Sequence, residues 1–273
     1  MNALRLPKIA VIAGVGAGLG AALARRFVRE GCRVVLFARS SEYIEALASE
    51  LNAKSKSDVA RAIGCDLADP KQISAAFAKI RKEIGLVDVL VNHASGGGGP
   101  TGSSLINLDP ANFEQAWRVG VYGALLCSRE AARDMLSPDR DVANGSIIFT
   151  GATSSVRGAS IAFSSAKFAS RGLAQGMARE LWPQGIHVAH VIIDGIIGEA
   201  DSKSPMEDSN HEPEMHPDAI AEVYWQLVLQ DRSAWTLELD LRPNREKFFE
   251  ELRTGEVHDV ATFHDSPGSG PDS

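Results

Sequence analysis

Gly14-Val15-Gly16-Ala17-Gly18-Leu19-Gly20 follows the apolar run Ile9-Ala-Val-Ile-Ala13 and precedes a helical pattern that reaches Glu30. Glycines let a turn adopt positive φ and let the backbone approach a ligand without a Cβ in the way. A helix that starts there offers unpaired N–H groups and the positive end of its dipole to a phosphate. A glycine-rich loop alone is weak evidence; between a buried strand and a helix it is strong. The spacing is not G-x-G-x-x-G, because position 19 is Leu; Gly14, Gly18 and Gly20 fit G-x-x-x-G-x-G instead.

Outward from this loop, short Val/Ile-rich runs alternate with longer helical ones. Strands are expected at Arg33–Ala38, Ala60–Gly64, Val87–Val91, Ser146–Thr150 and Ile186–Ile193. Between them, helices are expected after Ala38 through Leu51, from Asp69-Pro70 to Ile84, from Asp109-Pro110 towards Met135, and over 160–182. Asp before Pro supplies an N-cap and a first helical residue. Continuous apolar strands separated by helices imply a parallel sheet covered on both faces: an α/β, doubly wound Rossmann fold. Ligands of such folds sit at the carboxyl ends of the strands, which is where chemistry is expected.

Composition narrows the function classes. The chain has 273 residues, 44% hydrophobic and 23% charged, and a net charge of -7, which disfavours a nucleic-acid surface. Residues 1–198 carry 22 Lys and Arg against 17 Asp and Glu, a balance of +5; residues 199–273 carry 6 against 18, a balance of -12. Cys32, Cys65 and Cys127 are too scattered for a disulfide framework or a C-x-x-C zinc site, and read as buried hydrophobes in a reducing compartment. No metal site is expected: His187 and His190 sit three apart on a strand and point to opposite faces, and His211 and His216 lie among acids. The apolar run at 9–24 is broken by four glycines and is short for a membrane span, so the protein is read as cytoplasmic, with no membrane partner.

The glycine spacing resembles that of the short-chain dehydrogenases/reductases, and further matches follow in order over about residues 7–198. Asp66 in Cys-Asp-Leu-Ala-Asp, with Leu67, resembles the family's adenine-contacting acid. Asn92-His93-Ala94-Ser95 resembles its Asn-Asn-Ala-Gly turn, Lys167 the lysine of Tyr-x-x-x-Lys, and Asp194-Gly195 its Pro-Gly. The resemblance implies a nicotinamide cofactor held by Gly14, Gly16, Ala17, Gly18, Leu19, Gly20, Arg39, Ser40, Asp66, Leu67, Asn92, His93, Ala94, Lys167, Gly195 and Ile197. The second strand ends Phe37-Ala38-Arg39-Ser40, where an acid would hold the 2′-hydroxyl of NAD. Arg39 suits the 2′-phosphate of NADP, with NAD as the alternative.

The family's usual machinery is an Asn, a Ser, a Tyr and a Lys. Aligned on Lys167, the Tyr position holds Phe163, the Ser position Ala152 (Gly151 or Thr153 within one residue) and the Asn position Gly120. The chain resembles a divergent subgroup that has Phe for Tyr and keeps the Lys. Thr153, Ser154 and Ser155 could hydrogen-bond a substrate oxygen, as could Ser164 or Ser165. His93 titrates in the useful range but is read first as a backbone contact to cofactor. Lys167 could itself give a proton if desolvated. The expected function is NADP-dependent hydride transfer to or from a small organic substrate with a non-standard proton donor. The alternatives are non-redox chemistry such as elimination, isomerisation or cyclisation, or a non-catalytic dinucleotide-binding regulator.

One domain is expected over 1–253, with 199–217 as a lid over the substrate and 254–273 as a disordered acidic tail. Asp218–Leu229 reads as an amphipathic helix, Ala234–Leu241 as an edge strand and Arg242–Arg253 as a charged helix. Phe113, Trp117 and Tyr122 read as core or subunit contacts. A homodimer or homotetramer through the helices at 110–136 and 160–182 is implied by the resemblance.

Overall fold

The computed structural model describes residues 8–96, 104–140, 144–198 and 214–244. β1 (Ile9–Ala13) is buried along its whole length and leads through the glycine loop into α1 (Leu19–Arg29). β2 (Arg33–Ala38), α2 (Ser41–Ser55), β3 (Ala60–Gly64) and α3 (Pro70–Glu83) complete the first half. Asp69 caps α3 as expected, its carboxylate accepting from the amides of Lys71 and Gln72. The second half runs β4 (Val89–Asn92), α4 (Pro110–Trp117), α5 (Ala124–Met135), β5 (Gly145–Thr150), α6 (Ile161–Leu181), β6 (Ile186–Ile193), two-residue strands β7 (Ile196–Ile197) and β8 (Glu214–Met215), α7 (Pro217–Leu229) and β9 (Glu238–Leu241).

Seven strands form one parallel sheet in the order β3-β2-β1-β4-β5-β6-β9. Alternate residues of each strand face opposite layers. Ala10 and Ile12 pack towards α1, α2 and α7, whereas Ile9, Val11 and Ala13 pack towards α3, α5 and α6. Phe27 meets Trp225 edge-on at 5.5 Å, joining α1 to α7, and Phe37 meets Phe77 at 5.7 Å on the other side. The three cysteines are buried free thiols, their pKa raised by burial.

β1 lies between β2 and β4, so the chain leaves it in one direction and returns on its other side. The crevice that this reversal opens at the carboxyl ends of β1 and β4 is where doubly wound sheets bind ligands. The glycine loop and the Asn92–Ser95 turn are its two lips.

Four elements differ from the sequence reading. The helix from Pro110 is not continuous, because Arg118–Gly123 forms a π-turn between α4 and α5. Gly123 is pressed so closely on the Leu67 carbonyl that a Cβ would come within 2.4 Å of it, and Ser170 donates to the Gly120 carbonyl. These contacts draw the backbone out of the regular ladder. The last strand begins at Glu238 rather than Ala234, since Arg232–Ala234 is a 3-10 turn closed by the Asp231 side chain. Its edge position is as expected. Arg242–Asn244 is not helical: Arg242 precedes Pro243, which disfavours helical backbone, and pairs with Asp240 at 2.9 Å. The rest of that expected helix, most of the expected lid and the tail lie outside the described residues. Finally, of the three residues expected as core or subunit contacts, Trp117 and Tyr122 are 37% and 43% exposed and so are not core, whereas Phe113 is half-buried and packs against the small cluster of Ala116, Ala162 and Ala166.

Candidate active site

Two spaces open at the switch point. The larger, about 620 Å³, runs from Gly14, Val15 and Gly16 past Arg39, Ser40 and Tyr43 to Asp66 and Leu67, with His93, Ala94 and Ser95 on its other wall. The smaller, about 20 Å³, lies between Asn92, Gly120, Phe163 and Lys167.

The first is built by backbone economy. Gly14 has φ +105°, and a Cβ there would come within 2.6 Å of Ala94. The two lips of the crevice touch at this point, which only glycine permits. At Gly16 and Gly18 a Cβ would meet nothing within 4 Å, and Gly16 lines the groove. Gly18 caps α1 without a side-chain bond, and the first turn carries no acidic residue. The leading amides of α1 thus keep their hydrogens and dipole for an anion. Arg39 and Ser40 are exposed at the end of β2. Asp66 is anchored by the Ala68 amide at 2.9 Å. A phosphate-bearing dinucleotide fits this set of donors and clearances.

Lys167, on α6, is 8% exposed, and Nζ donates to the Thr150 carbonyl at 2.8 Å. Burial lowers its pKa to about 8. Its ammonium faces the ring of Phe163 at 5.4 Å. Asn92 donates to Ser128 at 2.9 Å, and its Oδ1 has no hydrogen-bond partner among the described residues. His93 and Ala94 donate their amides to the Ala13 carbonyl at 3.0 and 2.8 Å. Those amides hold the turn to β1, which leaves the His93 carbonyl and side chain as the parts that could meet a ligand. His93 lines the groove, and the pKa of its imidazole is lowered to about 4 by burial and then by the charge of Lys167.

None of the serine and threonine candidates lines either space. Thr153 donates to Asp194, a buried carboxylate at the end of β6 that also faces Arg242, and Arg157 at 3.6 Å. Ser154 is buried and lines neither space. Ser155 accepts from the Ala152 amide, Ser164 from the Ala159 amide, and Ser165 from the Trp117 indole. Ala17, Gly18, Leu19, Gly20, Gly195 and Ile197 do not line the groove; Ile197 instead pairs with Met215 in the β7–β8 ribbon. Tyr43, Cys65 and Gln115 line it unannounced. Tyr43 lies three residues beyond Ser40 in the first turn of α2, so helical spacing could have found it; nothing in the sequence marks Gln115.

Comparison with known proteins agrees with this geometry. The short chain dehydrogenase family model matches residues 8–208. Sorbitol-6-phosphate 2-dehydrogenase of Escherichia coli (strain K12) is 30% identical over 201 residues, 73% of this chain and 73% of that protein. The crystal structure of a short-chain dehydrogenase from Rhodopseudomonas palustris superposes with a TM-score of 0.71 at 33% identity, covering 87% of this chain and 99% of that one. A metagenomic short-chain oxidoreductase in complex with NADP gives a TM-score of 0.71 at 28% identity, covering 87% and 97%. The chain belongs to the short-chain dehydrogenase family, whose members are NAD(P)-dependent oxidoreductases of small molecules. Among the described residues no helix is long and apolar enough to cross a membrane.

Proposed function

We propose that the protein is an NADP-dependent reductase or dehydrogenase whose small organic substrate needs no phenolic proton donor. The observation that carries this reading is Phe163 facing Lys167 where the family has its tyrosine. The bound dinucleotide supplies or accepts the hydride. Lys167 spends one N–H on Thr150 and keeps two for ribose hydroxyls, the role implied by resemblance. Phe163 contributes shape and excludes water but has no proton to give. A ketone reduced here would form an alkoxide without a neighbouring acid. An iminium takes hydride and becomes a neutral amine with no proton needed. An enone takes hydride at carbon and its enolate is protonated later by water.

The choice of NADP rests on Arg39, exposed on the groove, and on the lack of an acid at the end of β2. Exposed Trp117, Tyr122, Leu125, Ile161 and Phe168 on the α4–α6 side support a homo-oligomer, which size-exclusion chromatography tests. A cytoplasmic location rests on composition and reduced cysteines.

Fluorescence titration with NADPH and NADH, followed by NADPH consumption against ketones, enones and imines, tests the reading. Tighter binding of NADPH, with turnover confined to enones or imines, is expected. Tight binding without consumption of any acceptor would favour non-redox chemistry or a regulatory role. Strong ketone reduction by the unaltered protein would overturn the claim about Phe163.

A further inference from the structure

Tyr224, on the sheet-facing side of α7, is fully buried, and its hydroxyl lies 2.8 Å from Thr150 Oγ1. Thr150 Oγ1 lies in turn 3.2 Å from His93 Nδ1. Three polar groups thus connect α7, the end of β5 and the wall of the cofactor groove. Thr150 also presents its carbonyl to Lys167, so the same residue touches both polar walls of the site.

The hydrogens of this chain can be counted. Tyr224 is un-ionised, because burial raises its pKa more than the Thr150 bond lowers it. Thr150 Oγ1 has one hydrogen and two neighbours. Suppose His93 donated from Nδ1 to Thr150, and Thr150 to Tyr224. The phenolic hydrogen would then be buried with no other acceptor among the described residues, a costly arrangement. If both neighbours donated to Thr150, its own hydrogen would be left without an acceptor; when Tyr224 donates to Thr150 and Thr150 donates to His93 Nδ1, both buried hydroxyl hydrogens are used. Nδ1 is then an acceptor, so the neutral ring carries its hydrogen on Nε2.

We propose that Tyr224 is a positioning residue of the dinucleotide site: acting through Thr150, it holds His93 in the Nε2–H form, a neutral hydrogen-bond donor to an oxygen of the bound dinucleotide. The proposal rests on the reading of the groove as a dinucleotide site. The amide of His93 is spent on Ala13, so the ring is the residue's remaining hydrogen-bond donor. A neutral donor also suits a wall shared with Lys167, where a second cation would be repelled. His93 transfers no proton in this role; the fixed tautomer replaces a ring that would otherwise turn between two.

Histidine-selective 15N labelling tests the chain in the protein without cofactor, by long-range proton–nitrogen correlations, with His93→Gln identifying the resonance among the 7 histidines. NADPH titration tests the consequence. The wild-type protein should show His93 as Nε2–H. Tyr224→Phe and Thr150→Val should move it towards a mixture of tautomers and weaken NADPH about three- to tenfold, the worth of one neutral hydrogen bond. Thr150→Ser should restore both readings. An Nδ1–H ring in the wild type would overturn the proposal, as would Tyr224→Phe lowering the melting temperature with the His93 nitrogens unmoved. A shifted tautomer with unchanged NADPH affinity would remove the donor role. If the wild type binds neither NADPH nor NADH, the dinucleotide reading of the groove fails and the ligand half of the proposal with it, while the nitrogen shifts still decide whether the chain exists.

Discussion

The ammonium of Lys167 lies 5.4 Å from the centre of the Phe163 ring, one turn earlier on the same helix. Elsewhere in the family that turn of helix carries a phenol whose acidity the ammonium raises. Here the charge meets a π-face, which steadies the side chain but does no acid–base work.

Phe163→Tyr adds one oxygen beside an ammonium already in place. Simple ketone reduction should rise by about tenfold or more, the lower end of what a positioned general acid contributes being about a hundredfold. Iminium reduction should change little. Initial rates of NADPH consumption on the two substrate classes check this, and equal changes on both would argue against it.

Arg39→Asp should weaken NADPH at least about tenfold, since a charge-assisted bond to phosphate is worth about 1.5–3 kcal/mol. NADH should bind as well as before or better, because an acid at this position can accept from the ribose hydroxyls. Fluorescence titrations with both cofactors give the ratio.

Lys167 ties stability to pH. Its pKa is about 8 folded, against 10.5 for the free side chain. Below about pH 8 both states hold the proton, and the fold bears the cost of a buried charge. Between about 8 and 10.5 the folded protein releases it while the unfolded chain keeps it, so this residue's contribution becomes more favourable as pH rises. The stability gap between wild type and Lys167→Met should therefore move in favour of wild type by up to about 3 kcal/mol across that window. Denaturant titrations at pH 7.5 and 10.5 measure it.

Gly14 and Gly16 should respond differently to alanine. Gly14→Ala forces a side chain into φ +105° and a 2.6 Å contact with Ala94, and should cost about 2 kcal/mol or more as well as dinucleotide affinity. Gly16→Ala meets nothing within 4 Å and should fold normally. Thermal unfolding of the pair separates the two demands on the loop.

The strand and helix pattern was legible because it follows from local runs: β2 and β3 fall on the residues expected, and Asp69 caps α3 as its sequence position implies. What escaped depends on contacts between distant segments. The π-turn at Arg118–Gly123 answers to Leu67 and Ser170, neither of which is near it in sequence. The cofactor loop, Lys167 and the loss of the standard partners were visible as motif matches and mismatches. The bond from Thr153 to Asp194, and the one Ser164 accepts from the Ala159 amide, were not, because hydroxyls with different partners look alike in sequence. Tyr224 was visible only as one apolar-face residue of an amphipathic helix.

Of the three groups absent from the standard set, each has a different route back. At Gly120 an added Cβ would find open space, with Ala166 at 4.0 Å as its nearest neighbour. Gly151 is another matter: the His190 imidazole would be 2.5 Å from a Cβ there, and that histidine is wholly buried in β6, paired beside Glu238 of β9. A serine at 151 would require the buried His190 ring to shift. Evolution, or an engineer, could regain the asparagine, the tyrosine and the serine by single substitutions at Gly120, Phe163 and Ala152, whereas a serine at 151 would have to displace His190.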